Sequence, residues 1–154
     1  MTMDFPTAVR TCLTQKYATF QGRASRSEYW WFFLVVLIGA VVTQLIWGLL
    51  YLIYTLAIIC PALAAGFRRL QDTGRPGWYI VIPFGISLLA SLMAPDVPTE
   101  EAMAAGQMPD FANLALFSIL AIVQLIISLV FLWWLTRPSQ PETNAYGPPP
   151  TPQT

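Results

Sequence analysis

Seven charged side chains in two short stretches are the candidates for chemistry. The first stretch, Phe20–Phe32, reads FQGRASRSEYWWF and holds Arg23, Arg26 and Glu28. The second, Phe67–Trp78, reads FRRLQDTGRPGW and holds Arg68, Arg69, Asp72 and Arg75. Guanidinium groups grip phosphate or carboxylate oxygens through paired donors, so five arginines around two acids suit an anionic headgroup, a phosphate-bearing ligand or an acidic partner segment. A carboxylate pair, Glu28 with Asp72, is also the minimum for acid–base work on a lipid headgroup. Each acid has a plainer reading. Ser25 and Glu28 have the S-x-x-E spacing of a helix-capping box. Asp72 follows Arg69 by three residues and Arg68 by four, the spacing of local helical ion pairs. The arginines then read as membrane-anchoring charges and as ion pairs that lock the two stretches together.

Other chemistry is thinly supplied. The chain has no histidine and two cysteines, Cys12 and Cys60. These make neither a disulfide framework nor a metal site, and no phosphate loop, nucleophile elbow or metal signature occurs. The expected catalytic residues, metal ligands and cofactors are therefore none.

The elements that position the two stretches follow from composition. Of 154 residues, 56% are hydrophobic and 10% are charged, against about 25% charged in soluble domains. From Trp30 to Phe67 no charged residue occurs. As one helix that run would be about 57 Å long at about 1.5 Å per residue, against a hydrocarbon core of about 30 Å. It must cross a membrane twice, turning near Trp47-Gly48-Leu49, with Tyr51 and Tyr54 beside Trp47 at the far interface. Pro61 is expected to kink the second helix, and Gly74 to end it. The expected spans are 30–47, 50–67, 78–94 and 113–135. Residues 1–20 have Phe5, Ala8, Val9, Cys12 and Leu13 at helical spacing, with Thr7, Arg10, Thr11 and Thr14 opposite. This predicts an amphipathic helix on the membrane surface, after an Asp4 cap. No cleavable signal peptide is expected, because the first apolar run starts as late as Trp30. Residues 95–111, acidic and proline-containing, read as a solvent-facing loop. The tail, 136–154, is rich in proline and polar residues and reads as extended or disordered.

All eight basic residues flank the spans on one side: Arg10, Lys16, Arg23 and Arg26 before the first, Arg68, Arg69 and Arg75 between the second and third, Arg137 after the fourth. Basic residues concentrate on the cytoplasmic side. The expected fold is thus all-α: an integral membrane four-helix bundle with an N-terminal interfacial helix, a 21–135 membrane domain and both termini cytoplasmic. With a net charge of zero, nothing argues for nucleic acid. No Asp, Glu, Lys, Arg or His lies inside a span, which argues against a proton-coupled pump or a charged-substrate channel.

FQGRASRSEYWWF, RRLQDTGRPGW and NAYGPPP, in that order, resemble the domain-of-unknown-function 805 family of small bacterial inner-membrane proteins, from about Phe20 to Pro149. The resemblance picks out Gly22, Arg23, Ser25, Arg26, Glu28, Tyr29 and Trp30, then Arg68, Arg69, Leu70, Asp72, Gly74, Gly77 and Trp78, and finally Asn144, Tyr146 and Gly147. Family members commonly carry histidine where this chain has Gln71. The resemblance implies a bacterial inner (plasma) membrane location and no established activity. Together these readings give a non-catalytic adaptor or accessory subunit. It would use Arg23, Arg26, Glu28, Arg68, Arg69, Asp72 and Arg75 toward anionic lipid headgroups or a membrane-protein partner. The alternatives are a small carrier or pore for a neutral or apolar solute, as a homo-oligomer with a polar path through Gln44 and Gln124, and an enzyme acting on lipid headgroups.

Overall fold

The computed structural model describes residues 3–94, 106 and 111–150. It divides into two compact units, Met1–Ile80 with Trp134–Thr154, and Val81–Trp133. Among the described residues the chain is helical, apart from turns and one isolated bridge, Asn144 with Gly147.

In the first unit, helix α1 covers Phe5–Arg10 and continues as one π-helical turn, Thr11–Gln15. Asp4 holds the extended N-cap backbone without a side-chain cap bond. Of the face expected to be apolar, Ala8 and Cys12 are buried against protein, together with Thr11, while Phe5 stays exposed. Thr11, read on the polar face, turns inward because the π turn rotates it toward α2 and α3, which both pack on this segment.

Helix α2 spans Arg26–Ile46 and α3 spans Gly48–Asp72, joined by Trp47 alone in an extended conformation. The hairpin is antiparallel: Tyr54 donates to the carbonyl of Val36 at 3.0 Å, and Arg68 reaches Glu28 at the open end. Tyr54, expected at the far interface, lies against Gly39. A Cβ at Gly39 would fall 2.8 Å from Tyr54 Cε2, so a small residue is what lets the helices approach. Helix α3 runs on through Pro61 to Asp72. The core gathers at the open end of the hairpin, where Cys12, Tyr29, Phe32 and Ala65 form one buried cluster. A short 3-10 turn, Gly77–Ile80, follows.

The second unit holds α4, Val81–Leu92, and most of α5, Phe111–Thr136. Among the described residues three helices are long and apolar enough to cross a membrane: Arg26–Ile46, Gly48–Asp72 and Leu114–Thr136. The apolar helix Gly77–Leu92, where the span 78–94 was expected, is shorter than these. The acidic loop expected at 95–111 lies outside the described residues, apart from Gly106 and the start of α5.

Candidate functional site

The charged stretches meet at the open end of the α2–α3 hairpin and are buried there. Local signals set the stage. Ser25, extended at φ −65° and ψ 163°, accepts the amide of Glu28 at 3.1 Å and starts α2. On the other arm of the hairpin, the amides of Gly74 and Arg75 return to the carbonyls of Gln71 and Leu70, each at 3.0 Å. That is the paired bonding of a Schellman C-cap, and Gly74 takes the left-handed φ of +77° it requires. The two caps deliver Glu28 on the first turn of one helix and Arg68, Arg69 and Asp72 within the last two turns of the other.

Two ion-pair centres result. In the first, Arg68 Nη2 donates to Glu28 Oε1 at 3.2 Å, and Lys16 Nζ lies 3.7 Å from Oε2. Arg68 Nη1 donates to the carbonyls of Lys16 at 2.9 Å and Thr19 at 3.1 Å, pinning the segment after α1. Cys12 sits between, its sulfur 3.6 Å from Arg68 Nη2 and 3.9 Å from Glu28 Oε1. Burial, with the Glu28 carboxylate adding to it, pushes the Cys12 thiol up to about 12, so it stays protonated at neutral pH.

In the second centre Asp72 takes two arginines, Arg23 Nε at 2.9 Å and Arg69 Nη1 at 2.5 Å. The remaining donors of both arginines hold main-chain carbonyls. Arg23 reaches Glu142 at 2.7 Å, Gln140 at 2.5 Å and Gly147 at 3.3 Å. Arg69 reaches Leu135 at 3.0 Å, Ala24 at 3.4 Å and Arg137. Carbonyls at a helix C-terminus lack intrahelical donors, and Arg69 supplies them for the end of α5. The tail is thereby held. The amide of Gln140 bonds the carbonyl of Asp72 at 3.2 Å, and Asn144 Nδ2 bonds that of Gln71 at 2.9 Å. Residues 144–147 close as a turn, with reciprocal Asn144–Gly147 bonds of 3.1 Å. The tail, expected to be extended or disordered, has no helix over 137–150 and is held in place because two buried arginines take up its carbonyls. Residues 151–154 lie outside the described residues.

Arg68, Arg69 and Asp72 are 0% exposed, Glu28 1% and Arg23 5%. These five candidates are brought together and nearly buried: Asp72, Arg68 and Arg69 are enclosed by protein, while Glu28 and Arg23 border a cleft of about 240 Å³ that Lys16, Gly22 and Tyr146 also line. The other two stand apart. Arg75 is half-buried, its guanidinium carbon 4.8 Å from the centre of the Trp134 ring. Burial and then the neighbouring Arg137 charge draw its pKa below the usual arginine value. Arg26 is exposed, at the mouth of a groove lined by Ser27, Trp30, Trp31, Leu34 and Leu37.

Sequence reasoning missed Lys16 and Cys12 as members of the first centre, and the tail carbonyls as members of the second. The NAYG turn was the one signal that pointed at the tail. The glycines divide by role. Gly22 and Gly74 have positive φ, +94° and +77°. Gly77 instead provides space, since a Cβ there would sit 2.5 Å from Phe67 Cδ1. Gln71 occupies a buried position where its Oε1 has no hydrogen-bond partner.

The chain is thus a small helical protein with a buried arginine–carboxylate lock set on helices long and apolar enough to cross a membrane. The chain belongs to the family described as "Protein of unknown function (DUF805)", whose profile matches residues 17–148. It is 43% identical over 77 residues to the inner membrane protein YhaI of Escherichia coli strain K12, a match over 46% of this chain and 65% of YhaI. It is 39% identical over 84 residues to the inner membrane protein YhaH of the same strain, over 46% of this chain and 69% of YhaH. The chain thus spans just under two thirds of YhaI's length. No solved structure matches it.

Proposed function

We propose that this chain is a multi-pass inner-membrane protein that works without catalysis, as an adaptor or accessory subunit. Both termini and the 67–78 connection face the cytoplasm, and a rigid charged cap there presents a surface to a membrane-protein partner. One observation carries the non-catalytic reading: Glu28 and Asp72 are nearly or fully buried and paired with arginines that also hold main-chain carbonyls, Arg68 those of Lys16 and Thr19, Arg23 and Arg69 those of the tail. A catalytic carboxylate needs access to substrate; a lock needs the opposite. The membrane reading is supported by three apolar helices of spanning length and by the names of the two inner-membrane relatives. The orientation is supported by the eight basic residues, which all fall on one side of a four-span arrangement.

With Arg68 and Arg69 buried, a partner would meet the outer surface of the cap, where Arg10, Phe20 and Glu142 are exposed. The test is site-specific photo-crosslinking in cells, with the reactive residue at Phe20 or Glu142 and a control at Leu45 in the apolar section. The expected result is one recurring protein adduct from the cap positions and none from Leu45. A correctly inserted protein giving no protein adduct from any cap position ends the adaptor reading.

A further inference from the structure

The groove beside α2 differs from the lock in every respect that matters for a ligand. It is open, its volume is about 750 Å³, and its lining is mainly apolar. Trp31 is 40% exposed and Leu37 50% exposed within it. Arg26 stands at one end, exposed, on the first residue of α2. From Arg26 to Leu37 is eleven residues, about 16 Å along a helix. That is roughly half of a hydrocarbon core about 30 Å thick, so the groove is one leaflet deep.

We propose that this groove binds one anionic phospholipid, its phosphate on Arg26 and its acyl chain along Trp30, Leu34 and Leu37. Three features favour an anion at the mouth. The guanidinium of Arg26 is exposed there. Ser25 takes the amide of Glu28, while the amides of Arg26 and Ser27 precede the first intrahelical bond and point out of the positive end of the helix dipole. The lock behind them is also unbalanced: among the described residues Lys16, Arg23, Arg68 and Arg69 pair with Glu28 and Asp72, four positive charges against two negative. The apolar floor then selects a phosphate that carries a chain over a free phosphate. A partner's apolar helix would fill the floor but leave Arg26 and the two amides without an anion, so the lipid fits better.

The inference rests on the reading that α2 crosses a membrane. Its test is native mass spectrometry of the detergent-solubilised full chain, titrated with phosphatidylglycerol or phosphatidylcholine. The expected result is one phosphatidylglycerol per chain, bound several-fold more tightly than phosphatidylcholine and not displaced by glycerol phosphate. A single basic residue near an anionic surface is worth roughly fivefold in affinity, so Arg26→Gln should lower phosphatidylglycerol binding by about that factor while Arg10→Gln does not. Leu34→Trp, which fills the floor without touching charge, should lower the binding of both lipids. Equal binding of the two lipids by the wild type overturns the proposal. So does an Arg26→Gln protein that retains the preference, or an Arg10→Gln protein that loses it equally. Copurification of a second protein's helix crosslinked to Leu34 overturns it in favour of a protein occupant. Recovery of the chain in the membrane fraction without lipid preference sinks the lipid site alone and leaves the membrane reading standing.

Discussion

Helix α3 changes character along its length, and its two ends obey opposite rules. From Leu49 to Ile59 it is apolar and open: Leu52 is 52% exposed, Ile53 56% and Leu56 67%. From Ala64 to Asp72 it is closed and carries the charges of the helix, with Arg68, Arg69 and Asp72 at 0%. Helix α2 mirrors it, from buried Glu28 and Phe32 to Leu45 at 81% exposed. In water this pattern would be inverted, since apolar burial drives folding and unpaired buried charge costs several kcal/mol per ion. The inversion is what a bilayer requires. Along the spans the surroundings are already apolar, so little is gained by packing leucine against leucine. At the headgroup end the main chain needs partners, and arginine supplies them across segments far apart in sequence. The tertiary fold is therefore specified at the charged end, and the spans follow from length and polarity.

The largest test of that contrast is Asp72→Ala. It leaves Arg23 and Arg69 buried without their carboxylate, and breaking a buried pair in this way costs about 3–5 kcal/mol. Asp72→Asn keeps the acceptor and loses the charge, so it should recover only a small part. The measurement is the thermal midpoint of detergent-solubilised protein by fluorescence-detected size exclusion. Proteolysis of the tail should become faster in parallel, because Arg23 and Arg69 also hold 135–147. An Asp72→Ala protein with a wild-type midpoint and a protected tail would mean that the cap does not organise the fold.

How far this architecture was legible in the sequence follows the same division. The three long apolar helices, the Trp47 turn and the Gly74 stop could be read directly, because charge-free length and a left-handed C-cap are local properties. Ser25 capping Glu28 was local too. Where the Glu28 side chain goes was not: it leaves its own helix for Arg68, 40 residues on. Asp72–Arg69 was readable as an i, i+3 pair, whereas Asp72–Arg23, 49 residues apart, was not. Arginines near span ends suggest headgroup anchors, and composition alone cannot tell an anchor from a lock. The anchoring of the tail was not legible for a related reason. Its proline and polar content offers no core to pack, yet its order comes from main-chain carbonyls, which every sequence has.

A smaller test separates backbone specification at the cap from tolerance elsewhere. Gly74→Ala forces a side chain into the left-handed region, at about 1–2 kcal/mol. Its Cβ would also lie 3.0 Å from Gln140 Cδ, in the tail. Gly48, at the start of α3, has no positive φ, and a Cβ added there would meet nothing within 4 Å. Gly48→Ala should therefore be neutral or stabilise by up to about 1 kcal/mol. Thermal midpoints of the two variants, measured side by side, should move in opposite directions or differ clearly in size. Equal losses would place the specificity in the hairpin turn as much as in the cap.

The smallest effect is expected in the spans, and it tests the comparison from its other side. A buried leucine cut back to alanine costs about 2–5 kcal/mol, through lost transfer energy and the cavity left behind. Leu70, 0% exposed at the capped end of α3, should behave that way. Leu56 lies on the same helix with 67% of its surface open. If lipid covers that surface in the folded protein, it also covers it when the helices separate within the bilayer. Leu56→Ala then changes neither transfer nor packing, and its cost should stay within about 0.5 kcal/mol, as for surface substitutions generally. Reversible unfolding of bilayer-embedded protein measures both variants on one scale. A cost near 2 kcal/mol at Leu56, the low end for a buried leucine, would show that this face is covered by protein, a second copy or a partner, and would extend packing specificity from the cap into the span.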